Sequence, residues 1–298
     1  MTENHLTLER LRATPLPMPE EGSKEQRGTI LVVGGSAEVP GAALLAGVAA
    51  LRSGAGRLRI ATVGSAASAM ALALPEARVI GLAETEEGEI APAAAASRLP
   101  PLAERCEAVL IGSGLSAGTT ADAISRTLLS AHGSAALVID AGMIAGLAAQ
   151  AEAVRSCRGR AVITPHAGEM ARLLGMDRSA VEADPLAAAR RAADLLGCVV
   201  IMKGAESWIV DPSGGSWHYG GGGVGLATSG SGDVLSGIVA GLLARGAEAA
   251  VAAAWGVYLH GQAGRLLAER VGPIGFLARE IADAIPALLR EAEAGTGP

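Results

Sequence analysis

The sequence predicts an α/β fold with a mostly parallel central sheet and helices on both of its faces. Short runs of β-branched and aliphatic residues alternate along the chain with longer stretches of helical periodicity, and this alternation is typical of βαβ units. Several of the strand-like runs are apolar at every position, as is usual in strands that helices cover on both sides.

The expected elements follow one another in chain order. Strands are predicted at Ile30–Val33, Leu58–Ala61, Val79–Leu82, Val109–Ile111, Leu137–Asp140, Ala161–Thr164, Val199–Met202 and Trp208–Val210. Helices are predicted at Gly41–Ser53, Thr119–Ala131, Glu169–Leu174, Leu186–Leu196, Asp233–Leu243, Ala247–Arg270 and Leu277–Glu293. No interior linker separates them, so residues 28–293 are interpreted as one domain. Residues 1–27 are polar and contain three prolines, which predicts an N-terminal arm or a loose leader.

Composition and charge exclude several classes of protein. A net charge of −6 and an aromatic content of 2% argue against nucleic-acid binding. Uncharged apolar runs such as Pro40–Leu51 and Val234–Ala244 are shorter than the ~20 residues that span a bilayer. The first residues are charged and lack the apolar core of a signal peptide. The three cysteines form no C-x-x-C pair, so we expect a cytoplasmic protein without a disulfide framework or a zinc site.

The strongest functional signal is the segment Ala227–Gly237, in which Gly230, Ser231, Gly232 and Asp233 open a helix. Free N–H groups at a helix N-terminus bind anions, and glycines leave room for a phosphate to approach. An aspartate here could simply cap the helix. Capping does not explain the surrounding glycines, so we interpret Asp233 as a catalytic base beside a phosphate site. The segment is not a Walker loop, because no G-K-[ST] follows the glycines.

Two further segments end predicted strands at the edge where open α/β sheets bind ligands. His166 and Glu169 follow the strand that ends at Thr164, and they could serve only as a helix cap and its capping-box acid. Lys203 ends a buried strand and is followed by Gly204. A lysine at this place is a candidate phosphate contact, and a solvated surface lysine is the alternative.

A fourth segment, Gly112–Ala117, matches G-x-G-x-x-A after a strand. This pattern raises the alternative of a dinucleotide-dependent oxidoreductase, in which a ribose-binding acid should follow ~20 residues later. Asp140 is the nearest candidate and lies further on, at the end of the next strand. The match is therefore loose, and it leaves the segment around Asp233 unexplained.

Taken together, these segments resemble a known family. The chain carries Gly28-Thr29-Ile30-Leu31-Val32-Val33-Gly34-Gly35-Ser36, Pro40-Gly41-Ala42-Ala43, Gly112-Ser113-Gly114-Leu115, Thr164-Pro165-His166 with Glu169, Lys203-Gly204-Ala205, Gly230-Ser231-Gly232-Asp233 and Leu259-His260-Gly261. In this order they look like the ADP/ATP-dependent NAD(P)H-hydrate dehydratases, which have a ribokinase-like fold. The resemblance runs from about residue 10 to the closing helices. The glycine–aspartate segment is common to ribokinase-like kinases, whereas the segments at 34–43 and 164–169 select the dehydratase branch.

The resemblance implies a reaction and a set of site residues. The substrate would be NADH or NADPH hydrated at C6 of the nicotinamide ring; the hydroxyl is phosphorylated and phosphate then leaves. ADP or ATP would donate the phosphoryl group with Mg²⁺, giving AMP or ADP, and Glu169 would hold the magnesium through water. The expected substrate contacts are Ala42, Gly114, His166 and the catalytic Asp233. The expected nucleotide contacts are Lys203, Gly204, Ala205, Glu206, Ser207, Gly230, Ser231 and Gly232.

The chain departs from the family pattern at two places. Ser113 stands where the family usually has proline, and Asp140 is followed by Ala141-Gly142-Met143-Ile144-Ala145 instead of the family's Ala-Asp-Ala-Leu-Asn. The epimerase domain to which many members are fused is absent from this sequence, so dehydration alone is expected. The apolar faces of Ala247–Arg270 and Leu277–Glu293, and the family's habit, suggest a homo-oligomer such as a tetramer. A small-molecule kinase and a non-catalytic nucleotide sensor on the same fold remain alternatives.

Overall fold

A computed structural model describes residues 4–18 and 27–293. Its centre is a nine-stranded sheet with the strand order β3-β2-β1-β4-β5-β6-β7-β8-β9. The strands are β1 (Thr29–Val33), β2 (Arg57–Val63), β3 (Ala77–Leu82), β4 (Ala108–Ile111), β5 (Ala136–Ile139), β6 (Ala161–Ile163), β7 (Val199–Met202), β8 (Ser207–Val210) and β9 (Ser216–Tyr219). Pairing is parallel from β3 to β7, and β8 and β9 are antiparallel. All eight predicted strands and the mostly parallel sheet are confirmed; β9 was not predicted.

Thirteen helices lie in the described residues. They are α1 (Leu8–Arg12), α2 (Gly41–Arg52), α3 (Gly64–Ala73), α4 (Pro92–Arg98), α5 (Pro100–Ala103), α6 (Thr119–Ala131), α7 (Ala151–Arg155), α8 (Ala167–Leu174), α9 (Arg178–Ala183), α10 (Pro185–Leu196), α11 (Ser231–Ala244), α12 (Ala249–Arg270) and α13 (Ala278–Glu293). The seven predicted helices are confirmed within a few residues. Two 3₁₀ segments, Ala141–Gln150 and Val224–Leu226, complete the structure.

The sheet separates two apolar layers. Ile30 and Val32 of β1 face a core that includes α2, α11, α12 and α13. Leu31 and Val33 of the same strand face a second core, with α4, α5, α6, α8 and α10. Both faces of β1 are therefore buried, which explains why its sequence is apolar at every position. None of the helices in residues 4–18 and 27–293 is long and apolar enough to cross a membrane.

Residues 4–18 form an arm that packs against the domain. The Leu6 N–H donates to the His218 carbonyl at 2.8 Å, and the His218 N–H donates to the Asn4 carbonyl at 3.0 Å. Leu11 and Leu16 are buried in the same core as α12 and α13. Of the two expectations for this region, the loose leader is therefore wrong for residues 4–18. Residues 1–3 and 19–26 lie outside the described residues.

Helix α11 packs on α2 through glycines, which brings the start of α11 close to the sheet edge. A β-carbon at Gly237 would lie 2.3 Å from the carbonyl oxygen of Ala46, so α2 and α11 approach at backbone distance. We expect Gly237→Ala to force the helices apart and lower the free energy of unfolding by at least ~2 kcal/mol. Urea denaturation measures this loss.

Gly41 on α2 provides the matched control, because a β-carbon there meets nothing within 4 Å. Gly41→Ala should leave stability unchanged or raise it by up to ~1 kcal/mol, as glycine is a poor helix former. Equal stability of the Gly237→Ala and wild-type proteins would mean that the close approach of the helices is not required.

Candidate active site

The sequence-predicted segments meet at the carboxyl edge of the parallel strands. The Lys203 N–H donates to the Pro165 carbonyl at 2.8 Å, which joins the end of β7 to the end of β6. A β-carbon at Gly232 would lie 3.4 Å from Lys203 Nζ, so the start of α11 adjoins the same lysine. Open parallel sheets bind their ligands at this edge. The segments that contain His166, Lys203 and Asp233 meet here around the ammonium group of Lys203.

Lys203 lies at the centre of a group of carboxylates. Its Nζ is 2.9 Å from Asp140 Oδ1 and 3.9 Å from Glu169 Oε2, and only 19% of its side chain is exposed. Burial opposes the charge on Lys203, but Asp140 and Glu169 outweigh burial and raise its pKa. The alternative of a solvated surface lysine is therefore wrong. A buried cation at this edge is suited to hold phosphate oxygens.

Asp140 is a site residue that the sequence analysis considered only as a ribose-binding acid. Its carboxylate is 2% exposed, accepts a hydrogen bond from Thr164 Oγ1 at 2.6 Å and pairs with Lys203. The oxidoreductase alternative assigned Asp140 to a ribose, whereas in the structure its carboxylate pairs with Lys203 and orients that side chain. The available signal was its position directly after a buried strand, next to the strand that ends at Thr164.

Asp233 lies in the first turn of α11, after Gly230. Gly230 has φ +87°, and a β-carbon there would lie 2.5 Å from Leu45 Cδ1, so the turn requires glycine. Burial and, next, the Asp140 carboxylate raise the pKa of Asp233 to about 6, although the Ser113 hydroxyl and Lys203 act in the opposite direction. A carboxylate with a pKa near neutrality can accept a proton during a reaction and release it afterwards.

His166 and Glu169 form a capping box at the start of α8. His166 Nδ1 accepts hydrogen bonds from the Gly168 and Glu169 N–H groups at 3.0 and 3.3 Å, and Glu169 Oε2 accepts from the His166 N–H at 2.9 Å. The capping role considered for both residues is thus observed. It does not remove them from the site, because Glu169 also faces Lys203 and about half of the His166 side chain (53%) remains exposed.

The remaining predicted residues flank this centre. A β-carbon at Gly114 would lie 2.9 Å from Ala42 Cβ, so the loop after β4 meets the first turn of α2 there. Gly204, Ala205 and Glu206 form the turn from β7 into β8, and Ser207 begins β8. Glu206 Oε2 is 2.8 Å from His218 Nε2, a contact that the sequence analysis missed. The Ser231 N–H donates to the Thr228 carbonyl at 3.2 Å, so this amide is engaged within the turn.

The site carries excess negative charge. Asp140, Glu169 and Asp233 all act on the single lysine, and the first two raise the pKa of the third. In the described part of the chain, no group of three or more His, Cys, Asp or Glu side chains is placed to hold a metal ion directly. The carboxylates of the site are hard oxygen donors of the kind that Mg²⁺ prefers.

Known proteins share both the sequence and the fold. A profile described as NAD(P)H-hydrate dehydratase matches residues 30–287. An ADP-dependent (S)-NAD(P)H-hydrate dehydratase from Xanthomonas campestris pv. campestris is 50% identical over 95% of each chain.

Two solved structures resemble this chain closely. The ADP/ATP-dependent NAD(P)H-hydrate dehydratase from Bacillus subtilis, co-crystallised with ATP/Mg²⁺, superposes with a TM-score of 0.83 at 29% identity, covering 98% of this chain and 100% of that one. A ribokinase-like superfamily protein from Enterococcus faecalis gives a TM-score of 0.81 at 27% identity over 97% of this chain and 96% of that one. The expected ribokinase-like fold is confirmed. Since the matched profile spans most of the sheet and every segment of the site, the chain belongs to the NAD(P)H-hydrate dehydratase family.

Proposed function

We propose that this protein dehydrates C6-hydrated NADH or NADPH, using ADP or ATP as phosphoryl donor, and so restores the reduced cofactor. The observation that carries the proposal is the meeting of Asp233, Lys203 and the first turn of α11 at one edge of the sheet. The relative from X. campestris is named ADP-dependent and specific for the (S)-hydrate, so ADP and the S epimer are the first choices for donor and substrate.

The chemistry needs a better leaving group than hydroxide. Asp233 accepts the proton of the C6 hydroxyl as its oxygen attacks the phosphoryl group, and general-base catalysis of this kind contributes roughly 10²–10⁴-fold. Phosphate then leaves with the C–O bonding electrons, and the ring-nitrogen lone pair and loss of a proton from the neighbouring carbon restore the ring. The pKa of about 6 for Asp233 keeps this carboxylate ionised at neutral pH, as a base must be.

The nucleotide phosphates are held between Lys203 and the start of α11. Lys203 supplies positive charge, and the Gly232 N–H at the helix N-terminus donates to phosphate oxygens. The turn Gly204–Glu206 and Ser207 at the start of β8 follow the lysine, and we assign them to the same nucleotide. We assign Ala42, Gly114 and His166 to the hydrated dinucleotide, with His166 beside Lys203 at the end of β7.

Mg²⁺ would enter with the nucleotide. It neutralises charge on the phosphate oxygens, which favours attack by the substrate hydroxyl. We propose that Glu169 holds the ion through a water molecule. Its Oε2 lies 2.9 Å from the His166 backbone nitrogen and its Oε1 lies 3.4 Å from His166 Nε2. Both oxygens therefore have protein donors already, and each keeps a lone pair that can accept a hydrogen from water.

The proposal predicts a defined stoichiometry. Incubation with hydrated NADH, ADP and Mg²⁺ should regenerate NADH, with one AMP and one phosphate formed for each NADH. Absorbance of the reduced nicotinamide follows the first product, and chromatography with a phosphate assay follows the others. Omitting ADP is the control. Regeneration without a nucleotide would refute the mechanism, and a lasting phosphorylated product would favour the small-molecule kinase.

We also propose that the protein is a homo-oligomer, with a tetramer as the first choice. The apolar faces of α12 and α13 that suggested assembly are covered within the chain by α1, α2 and α11, so support comes from exposed apolar side chains elsewhere. Leu72 is 84% exposed and Val39 51%. Light scattering at the assay concentration should give a multiple of 29.6 kDa; the mass of a single chain would contradict assembly.

A further inference from the structure

His260 contacts the first residue of α11, and the proposed chemistry does not use this contact. It lies within α12, in the stretch between Ala249 and Gly264, which contains no Asp, Glu, Lys or Arg. Its imidazole leaves this apolar helix and reaches the first residue of α11. His260 Nε2 is 3.0 Å from Ser231 Oγ and 3.1 Å from the Ser231 carbonyl oxygen.

These two distances determine the tautomer. A carbonyl oxygen only accepts hydrogen bonds, so the 3.1 Å contact requires a hydrogen on Nε2. The same N–H is shared with Ser231 Oγ, which then acts as an acceptor and keeps its own hydrogen for another partner. One nitrogen thus fixes both the backbone and the side-chain rotamer of Ser231.

We infer that His260 is a positioning residue for the reaction: it anchors Ser231 from α12 and thereby fixes the turn that presents the Gly232 N–H and Asp233 to the nucleotide. The inference deepens the proposed function and rests on it for the identity of the reaction. The turn needs such an anchor because glycines flank Ser231 on both sides and restrict the backbone little. The Ser231 N–H is already engaged with Thr228, so α12 holds Ser231 from a second direction.

The charge state of His260 supports this role. Burial, with a smaller contribution from Lys203, lowers its pKa to about 4, although the contact with the Ser231 carbonyl acts in the opposite direction. The imidazole is therefore neutral at assay pH, and it contributes a directed hydrogen bond without placing a second cation beside the phosphates. Misplacement of catalytic groups by as little as ~1 Å can cost ~10²-fold in rate, so a neutral anchor can matter without touching the nucleotide.

The test compares two substitutions of similar bulk. His260→Leu fills the space without a donor, whereas His260→Gln retains an N–H that can reach Ser231. We expect the Leu variant to bind ADP about 10-fold more weakly, with kcat reduced at least ~10-fold, and the Gln variant to remain within ~3-fold of wild type in both. Calorimetry measures ADP binding directly, so this result stands even if the reaction proves different. The effects should be equal at pH 6 and pH 8, because neither variant removes a charge.

Three controls separate positioning from simple stability. Gln262→Ala removes a hydrogen bond between α12 and Tyr219 and should leave ADP binding unchanged. The second control is the double variant His260→Leu with Ser231→Ala. Both substitutions break the same contact, so their losses of ADP affinity should not multiply. We expect the double variant to bind ADP at least ~3-fold more tightly than the product of the two single losses predicts. If the Leu variant does not fold, His260→Met, which also lacks a donor, takes its place. Ser231→Ala keeps the carbonyl contact at 3.1 Å and should lose less ADP binding than the donor-less variant. Normal ADP binding by a folded Leu or Met variant, or a Gln variant as weak as the donor-less one, would overturn the anchor.

Discussion

Replacing Asp233 by asparagine is expected to lower turnover by at least ~10²-fold while nucleotide binding is undiminished. Asparagine keeps the size of the side chain but cannot accept the hydroxyl proton. Nucleotide should bind as well or slightly better, because a carboxylate no longer faces the phosphates. Single-turnover kinetics with hydrated NADH and calorimetry with ADP measure the two effects separately.

The Asp233→Asn substitution should also change how the free energy of unfolding depends on pH, because the pKa of Asp233 differs between the folded and unfolded states. The folded protein raises the pKa of Asp233 from 3.8 to about 6, so the ionised carboxylate is disfavoured in the native state. Wild-type stability should therefore fall as pH rises from about 4 to about 6 on account of this group, and the Asn variant avoids that loss. Above pH 6 we expect the variant to gain at most ~3 kcal/mol in free energy of unfolding relative to wild type, with the gain absent near pH 4.

Asp122 provides the control for a helix-terminal charge. It lies in the first turn of α6 as Asp233 lies in that of α11. Asp122→Asn should cost only a few tenths of a kcal/mol and leave turnover unchanged. If a folded Asp233→Asn protein turned over like wild type, Asp233 would be a helix cap and the base would lie elsewhere.

Replacing Lys203 by methionine should impair both folding and activity. The variant keeps the aliphatic stem but leaves the buried Asp140 carboxylate, which is 2% exposed, without its cation. Removing one member of a buried pair typically costs ~3–5 kcal/mol. We also expect kcat/KM for ADP to fall at least ~10²-fold, because Lys203 supplies charge at the phosphates.

A second variant separates these two losses. Lys203→Met combined with Asp140→Asn removes the unpaired charge, so most of the stability should return in urea denaturation while ADP binding stays weak. Arg190→Met, which breaks a side-chain contact with Ser216 away from the site, should leave ADP kinetics unchanged. Recovery of ADP binding by the double variant would mean that Lys203 acts only as the partner of Asp140. The Lys203→Met variant should also shift the acidic limb of the pH–rate profile to higher pH, because Lys203 lowers the pKa of Asp233.

The sequence alone determined eight of the nine strands that the structure describes, the mostly parallel sheet and the segments that line its carboxyl edge. These features depend on local periodicity: β1 is apolar at every position because both of its faces are buried, and Gly230 precedes Asp233 because the turn requires a positive φ. Such requirements leave a direct record in consecutive residues. Six helices in the described ranges were missed. The helices α1, α4, α5, α7 and α9 span one or two turns and carry little periodicity, and α3 buries only Met70, so its sequence shows no apolar stripe.

Only the tertiary structure decided which residues act together. Asp140 and Lys203 are 63 positions apart, and His260 lies 29 positions from Ser231. No sequence spacing reports these pairs, because parallel strands and neighbouring helices bring distant residues together through the packing of whole elements. The burial that raises the pKa of Asp233 has the same origin. The sequence thus singled out the groups for which we propose the chemistry, and the fold determined their charge, their partners and their orientation.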